Sequence, residues 1–286
     1  MKRRFAVAAG SAAMGTALVL SGCSGSGSEH TPGAMRLTAA EALIKASQKT
    51  GQADSFKADL TVSDPANGGS SVSATARFRL EPALAFSARL DEVRRGGQAV
   101  PGIKGQAIYT GDVLYAKVPQ LVRFVADGKP WVKVNVSQAG RQAGFDVKGL
   151  VDQLRKVNPA EQTTMLTGSK DARRVGTESV DGVQTTHYTG TVTVQDALSR
   201  LDAQTRDRVR QWFPEGAGNE RFAFDLWTDK DQLPRKLVTK DADGGHGGTL
   251  TVRYSDYGKS FKVSPPPADQ VGEFSLGSFL GNTPRN

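Results

Sequence analysis

Hydrophobic and polar residues alternate with period two through much of the chain between Phe56 and Tyr254, the pattern of strands with one buried face. Phe56, Ala58 and Leu60 form one such set, and Val72, Ala74, Ala76, Phe78 and Leu80 form a second. The turn-forming run Asp64-Pro65-Ala66-Asn67-Gly68-Gly69 between them predicts a hairpin. Leu84, Phe86, Ala88 and Leu90 come next; Ile108 and Tyr109 lead into Gly111-Asp112, and residues 113–118 return beside them. Trp131 to Val136 places valines on one face. Connections this short suit an antiparallel meander rather than parallel crossovers. A further sheet segment is expected from about Val175, through the Gly182 turn to residues 186–192. The last three strands are expected around Phe222, Phe224 and Leu226, around residues 237–240, and around Leu250, Val252 and Tyr254.

Helical spacing interrupts this pattern in three places. Thr38-Ala39-Ala40-Glu41 has the spacing of a capping box, predicting a helix to about Thr50 that Gly51 ends, with Leu43 and Ile44, flanked by Ala40 and Ser47, as its apolar face. Val147, Leu150, Val151, Leu154 and Val157 predict a second helix, stopped by Asn158-Pro159. Residues 195–213 predict a third, with Leu198, Leu201, Val209, Trp212 and Phe213 as its apolar members and Pro214 and Gly216 at its end. Strands outnumber helices, and each helix has one apolar face. The expected class is therefore α+β, a curved antiparallel sheet covered on one side by helices. One domain is expected over residues 35–271, with a loosely docked tail over 272–286.

The N-terminus alters this picture. Lys2, Arg3 and Arg4 precede an apolar stretch rich in Ala and Gly that closes on Leu20-Ser21-Gly22-Cys23. The stretch has the form of a signal peptide over residues 1–22. Its last four residues resemble the bacterial lipobox, which implies acylation of Cys23 and cleavage before it. Cys23 is the single cysteine of the chain, so no internal disulfide competes for its thiol. Residues 23–34 are rich in Gly and Ser, a composition that predicts a flexible tether. The adjacent Arg3 and Arg4 leave open whether export follows the general secretory or the twin-arginine route.

Charge and chemistry narrow the function. Part of the net charge of +8 lies in the signal segment, which leaves a moderately basic mature domain. The basic residues are dispersed, and no basic stripe interleaved with aromatics argues for nucleic acid. Anionic lipid headgroups are the simpler partner. The three histidines, His30, His187 and His246, are too scattered to predict a zinc site. Asp229 and Asp231 begin like a calcium loop, but the glycine and distal glutamate at the required spacing are missing. No Gly-x-Ser-x-Gly elbow or phosphate loop is present, and Asp196 and Asp202 fall on a charged helix face. The expectation is a non-enzymatic, monomeric protein without cofactor or metal.

Several segments, taken in order, carry a resemblance. Residues 111–119 (Gly-Asp-Val-Leu-Tyr-Ala-Lys-Val-Pro), 130–134 (Pro-Trp-Val-Lys-Val), 180–190, 226–236 and 254–258, followed by Pro265-Pro266-Pro267-Ala268, resemble the actinobacterial lipoproteins of the LppX/LprG type and the wider LolA-like carrier group. The resemblance implies a half-barrel of antiparallel strands with helices over its concave side, enclosing an apolar cavity for acyl chains. It implies a lipid or lipidated ligand, a membrane anchor through Cys23, and no catalytic residues. Candidate cavity-wall positions, taken from the apolar alternation, are Leu84, Phe86, Val132, Val134, Phe222, Phe224 and Leu226. Ordinary core packing produces the same alternation. The sequence therefore leaves two readings open: a lipid carrier with an apolar cavity, and an interaction or sensor lipoprotein with a filled core.

Overall fold

The structure, a computed structural model, describes residues 37–64, 68–119, 128–136, 158–211, 213, 215–243 and 248–273. Cys23, the helix expected at 147–157, His30 and His246 lie outside the described residues.

The chain folds first into α1, Ala39–Gly51, and then into β1 Ser55–Asp64, β2 Ser70–Arg79, β3 Ala85–Arg95, β4 Gln98–Ala99, β5 Gly105–Thr110, β6 Val113–Lys117 and β7 Trp131–Asn135. Beyond these come α2 Pro159–Leu166, β8 Arg173–Val180, β9 Val183–Thr193, α3 Val194–Ser199 and α4 Ala203–Arg210. The last strands are β10 Arg221–Thr228, β11 Pro234–Asp241, β12 Thr249–Ser255 and β13 Val271–Glu273.

The strands form one sheet in the order β13-β7-β6-β5-β3-β2-β1-β12-β11-β10-β9-β8, with β4 paired to β3. The class is α+β, an open curved sheet with few helices, as the alternation predicts. Its hairpins close where the turn chemistry places them. Gly111 and Asp112 have φ of 59° and 62°, and Asp181 and Gly182 have 49° and 81°, so each pair supplies the two positive angles that match the twist of flanking strands.

The α1 cap forms as expected. The Glu41 amide donates to Thr38 Oγ1 at 3.3 Å, and the Thr38 amide donates back to Glu41 Oε2 at 2.9 Å. The buried face is rotated from the predicted one: Ala42, Leu43, Ala46 and Thr50 are buried, whereas Ile44 is 47% exposed. Packing against α2 decides this, through Ser47 Oγ to Thr164 Oγ1 at 2.5 Å and Thr50 Oγ1 to Thr163 Oγ1 at 3.1 Å.

Three elements depart from expectation. Asn158-Pro159 starts α2: Asn158 Oδ1 accepts from the Ala160 amide at 3.0 Å and Pro159 occupies the first turn, where its missing N–H costs nothing. The helix expected over 195–213 is divided into α3 and α4. Thr193 caps the first, accepting from the Asp196 amide at 3.0 Å, and Asp202 caps the second, accepting from the Thr205 amide at 3.0 Å, so the chain turns between them. Finally, Val271–Glu273 pairs in parallel with Trp131–Lys133 at the sheet edge, and Glu273 meets Lys133 at 2.9 Å. The expected boundary before Gly272 thus cuts a strand, and the meander ends in one parallel pair.

Candidate functional site: the concave apolar face

Cross-strand register arranges the helix-covered face of the sheet in four rows. The first runs Phe56, Phe78, Phe86, Tyr109, Leu114 and Val134 across β1, β2, β3, β5, β6 and β7. Its rings lie in series, with centroids 4.9 Å apart for Phe56–Phe78, 5.7 Å for Phe78–Phe86 and 5.5 Å for Phe86–Tyr109. The second row is almost wholly alanine: Ala58, Ala76, Ala88, Ala107 and Ala116, ending on Val132. The third is Leu60, Ala74, Leu90 and Gly105, and the fourth Val62, Val72 and Val93. Toward the other side of the sheet, Tyr254 lies beside Ala58, Val252 beside Leu60 and Leu250 beside Val62.

Burial falls steadily along these rows. Phe56, Phe78 and Phe86 are at most 2% exposed, whereas Val62 and Val72 are 48% and 42% exposed. Helices close the filled end: Leu43 and Ala46 of α1 and Leu166 of α2 enter the same core as Phe56, Phe78 and Phe86. The buried Tyr254 hydroxyl donates to Gln162 Oε1 of α2 at 2.7 Å, pinning that helix to the sheet. Burial pushes the Tyr254 phenol well above its ordinary range.

Phe86, Phe224 and Leu226 belong to the core itself, while Leu84, Val134 and Phe222 pack against it partly buried. Val132 is buried at the end of the alanine row. Phe224 sits across from Gly190 and Thr239, and Leu226 across from Tyr188 and Leu237. Alternation alone did not find Leu60, Ala74, Leu90 and the outer valines as the open part of the face. The available signal was the pairing register, which aligns the alanines of five strands.

The opposite face is more polar, and several of its side chains pair with one another. His187 Nε2 meets Asp225 Oδ1 at 2.8 Å, and its ring stacks on Trp227 at 4.2 Å. Lys236 Nζ lies 4.2 Å from the Trp227 ring centroid, and Trp227 Nε1 donates to Glu178. Asp229 is occupied by its own turn: Oδ1 accepts from the Asp231 and Leu233 amides at 2.9 and 3.0 Å, and Arg235 donates to Oδ2 at 2.8 Å. Among the described residues no group of His, Cys, Asp and Glu could hold a metal ion. The Asp202 carboxylate caps α4, whereas the Asp196 carboxylate pairs with Lys170 at 3.0 Å and its amide donates to the α3 cap Thr193.

A curved antiparallel sheet whose helix-covered face is largely apolar, and exposed at one end among the described residues, defines an open-sheet α+β fold. The crystal structure of LprF from Mycobacterium bovis superimposes with a TM-score of 0.51 at 17% identity, over 80% of this chain and 96% of that one, and so shows the same fold. In sequence, the chain is 28% identical over 243 residues to an uncharacterised 31.2 kDa protein of the rplA–rplJ intergenic region of Streptomyces griseus, covering 82% of this chain and 78% of that protein. It is 27% identical over 176 residues to the lipoarabinomannan carrier protein LprG of Mycolicibacterium hassiacum, covering 59% of this chain and 66% of LprG. No family model matches the chain.

Proposed function

We propose that the chain is an extracytoplasmic lipoprotein, anchored through acylated Cys23, that seats acyl chains on the open part of its concave face and carries them within the cell envelope. One observation carries this reading. The apolar floor does not stop where the aromatic core ends but continues through Leu60, Ala74 and Leu90 to the exposed Val62 and Val72. Alanine and glycine along the second and third rows leave depth above the strands, and an alkyl chain laid there gains the contacts the small side chains forgo. Each buried methylene contributes about 0.8 kcal/mol, so ten contribute about 8 kcal/mol before association costs are met. Binding of this kind forms no covalent bond and is reversible, as carriage requires. The name of the Mycolicibacterium hassiacum relative, a lipoarabinomannan carrier, agrees with it.

The filled-core alternative draws on the aromatic row, where Phe56, Phe78 and Phe86 leave no room for a ligand. Uptake of a fluorescent fatty-acyl probe by residues 24–286 separates the two, since the described elements belong to one compact unit beginning at Leu37. The carrier reading predicts saturable uptake, lost on Ala74→Trp and kept on Gln106→Trp, which lies on the polar face. Absence of uptake by the unsubstituted chain, or uptake indifferent to Ala74→Trp, contradicts it.

A further inference from the structure

At the open end of the concave face the described ends of several hairpins come together. The Gly97 amide donates to Gly69 O at 3.4 Å, joining the β3–β4 turn to the β1–β2 turn, and Gly248 approaches Ser63 so closely that a Cβ there would meet its carbonyl at 2.7 Å. Val62 and Val72 face each other across this end, with Val93 beside Val72. Ile103, 39% exposed, lies in the loop between β4 and β5. Two cations flank the strip: Arg95 and Lys104 are exposed, and neither forms an ion pair with a described residue. The acids nearby are engaged, Glu92 with Arg94, Asp243 with Arg221, Asp241 with the Asp243 amide, and Asp64 with a partner of its own.

We propose that this rim docks on a bilayer bearing anionic headgroups, an inference that rests on the carrier reading above. Val62, Val72 and Ile103 enter the boundary between headgroups and acyl chains, and Arg95 and Lys104 pair with lipid phosphates. An exposed aliphatic strip bordered by cations that have no ion-pair partner among the described residues matches the two layers of such a surface. It suits a second copy of the chain poorly, because a two-fold contact would bring the same cations together. Because the strip is continuous with the proposed acyl floor, a lipid tail passes from the leaflet onto the protein without crossing water.

The acylated chain tests this directly, because Cys23, its single cysteine, is consumed by the anchor and a new thiol can be labelled alone. A bimane is placed on Val72→Cys, or on Gln106→Cys of the polar face, and the protein is reconstituted in phosphatidylglycerol/phosphatidylcholine vesicles containing doxyl-labelled lipid. Docking predicts quenching at Val72→Cys several-fold above that at Gln106→Cys, and near-loss of this difference in pure phosphatidylcholine. Arg95→Glu and Lys104→Glu should each weaken it by about fivefold or more. Equal quenching at the two sites overturns the docking, as does a Val72→Cys probe shielded from water but not quenched, the mark of a second copy. Acyl-probe uptake is measured on the same samples: uptake with equal quenching removes the docking and leaves the carrier reading, whereas absent uptake removes the carrier reading itself.

Discussion

Gly190 supports the packing of Phe224, and replacing it gives a quantitative check on the face assigned to β9 and β10. The two residues are directly opposed, and a Cβ on residue 190 would lie 2.8 Å from Phe224 Cζ, 3.0 Å from its Cε1 and 2.8 Å from Ser169 Oγ. Phe224 is 1% exposed, so its ring has no free volume into which to retreat. Ser169 can rotate, at the cost of its 2.9 Å bond to Asp171. Gly190→Ala should therefore cost about 1–3 kcal/mol by overpacking, which lowers Tm by about 2–4 °C for each kcal/mol in a domain of this size. Phe224→Ala alone should cost about 3–5 kcal/mol. In the double variant the new methyl occupies space the ring has left, so the loss should fall short of the sum by about 1–3 kcal/mol. Urea unfolding of the four proteins at constant m-value measures this coupling. Additivity within about 0.5 kcal/mol would show that residues 190 and 224 do not touch, and the assigned face would be wrong.

Three other perturbations probe the cover and its caps. Asn158→Ala should lower stability by about 1 kcal/mol and Asn158→Asp by much less in urea unfolding, because the capping oxygen is what α2 needs. Tyr254→Phe removes the hydroxyl bonded to Gln162 and should cost about 1 kcal/mol; an unchanged midpoint would mean that this bond does not hold α2 to the sheet. The Thr205 amide holds the Asp202 carboxyl below its ordinary range. Because the folded state has the lower pKa, the stabilisation is present at neutral pH and is lost as pH falls through the ordinary carboxylate range and below. Asp202→Asn should therefore flatten the acid limb of a Tm-against-pH curve.

Much of the sheet was legible because most of its longer strands bury one face at least in part, and burial enforces alternation. Phe56, Ala58 and Leu60 could occupy only one face together. The α1 cap was equally plain, because Thr38 and Glu41 act within one turn of helix. What escaped depended on partners distant in sequence. Ile44 looks as apolar as Leu43, and only the hydroxyl contacts of Ser47 and Thr50 with α2 turn it outward. Asn158-Pro159 carries both a stop and a start signal, and the start forms α2. The turn at Asp202 was masked by the apolar spacing of Leu198, Leu201 and Val209, although its capping chemistry was visible. The filled and open parts of the concave face were not separable by hydropathy, since Phe86 and Val72 alternate alike and differ only in what lies above them.

Native mass spectrometry of residues 24–286, purified from cells without detergent, addresses the lipid-seating claim most directly. The account predicts a population heavier than the polypeptide by the mass of a lipid, released on activation and depleted by Ala74→Trp. A single bare mass, from a protein that also takes up no acyl probe, would contradict it.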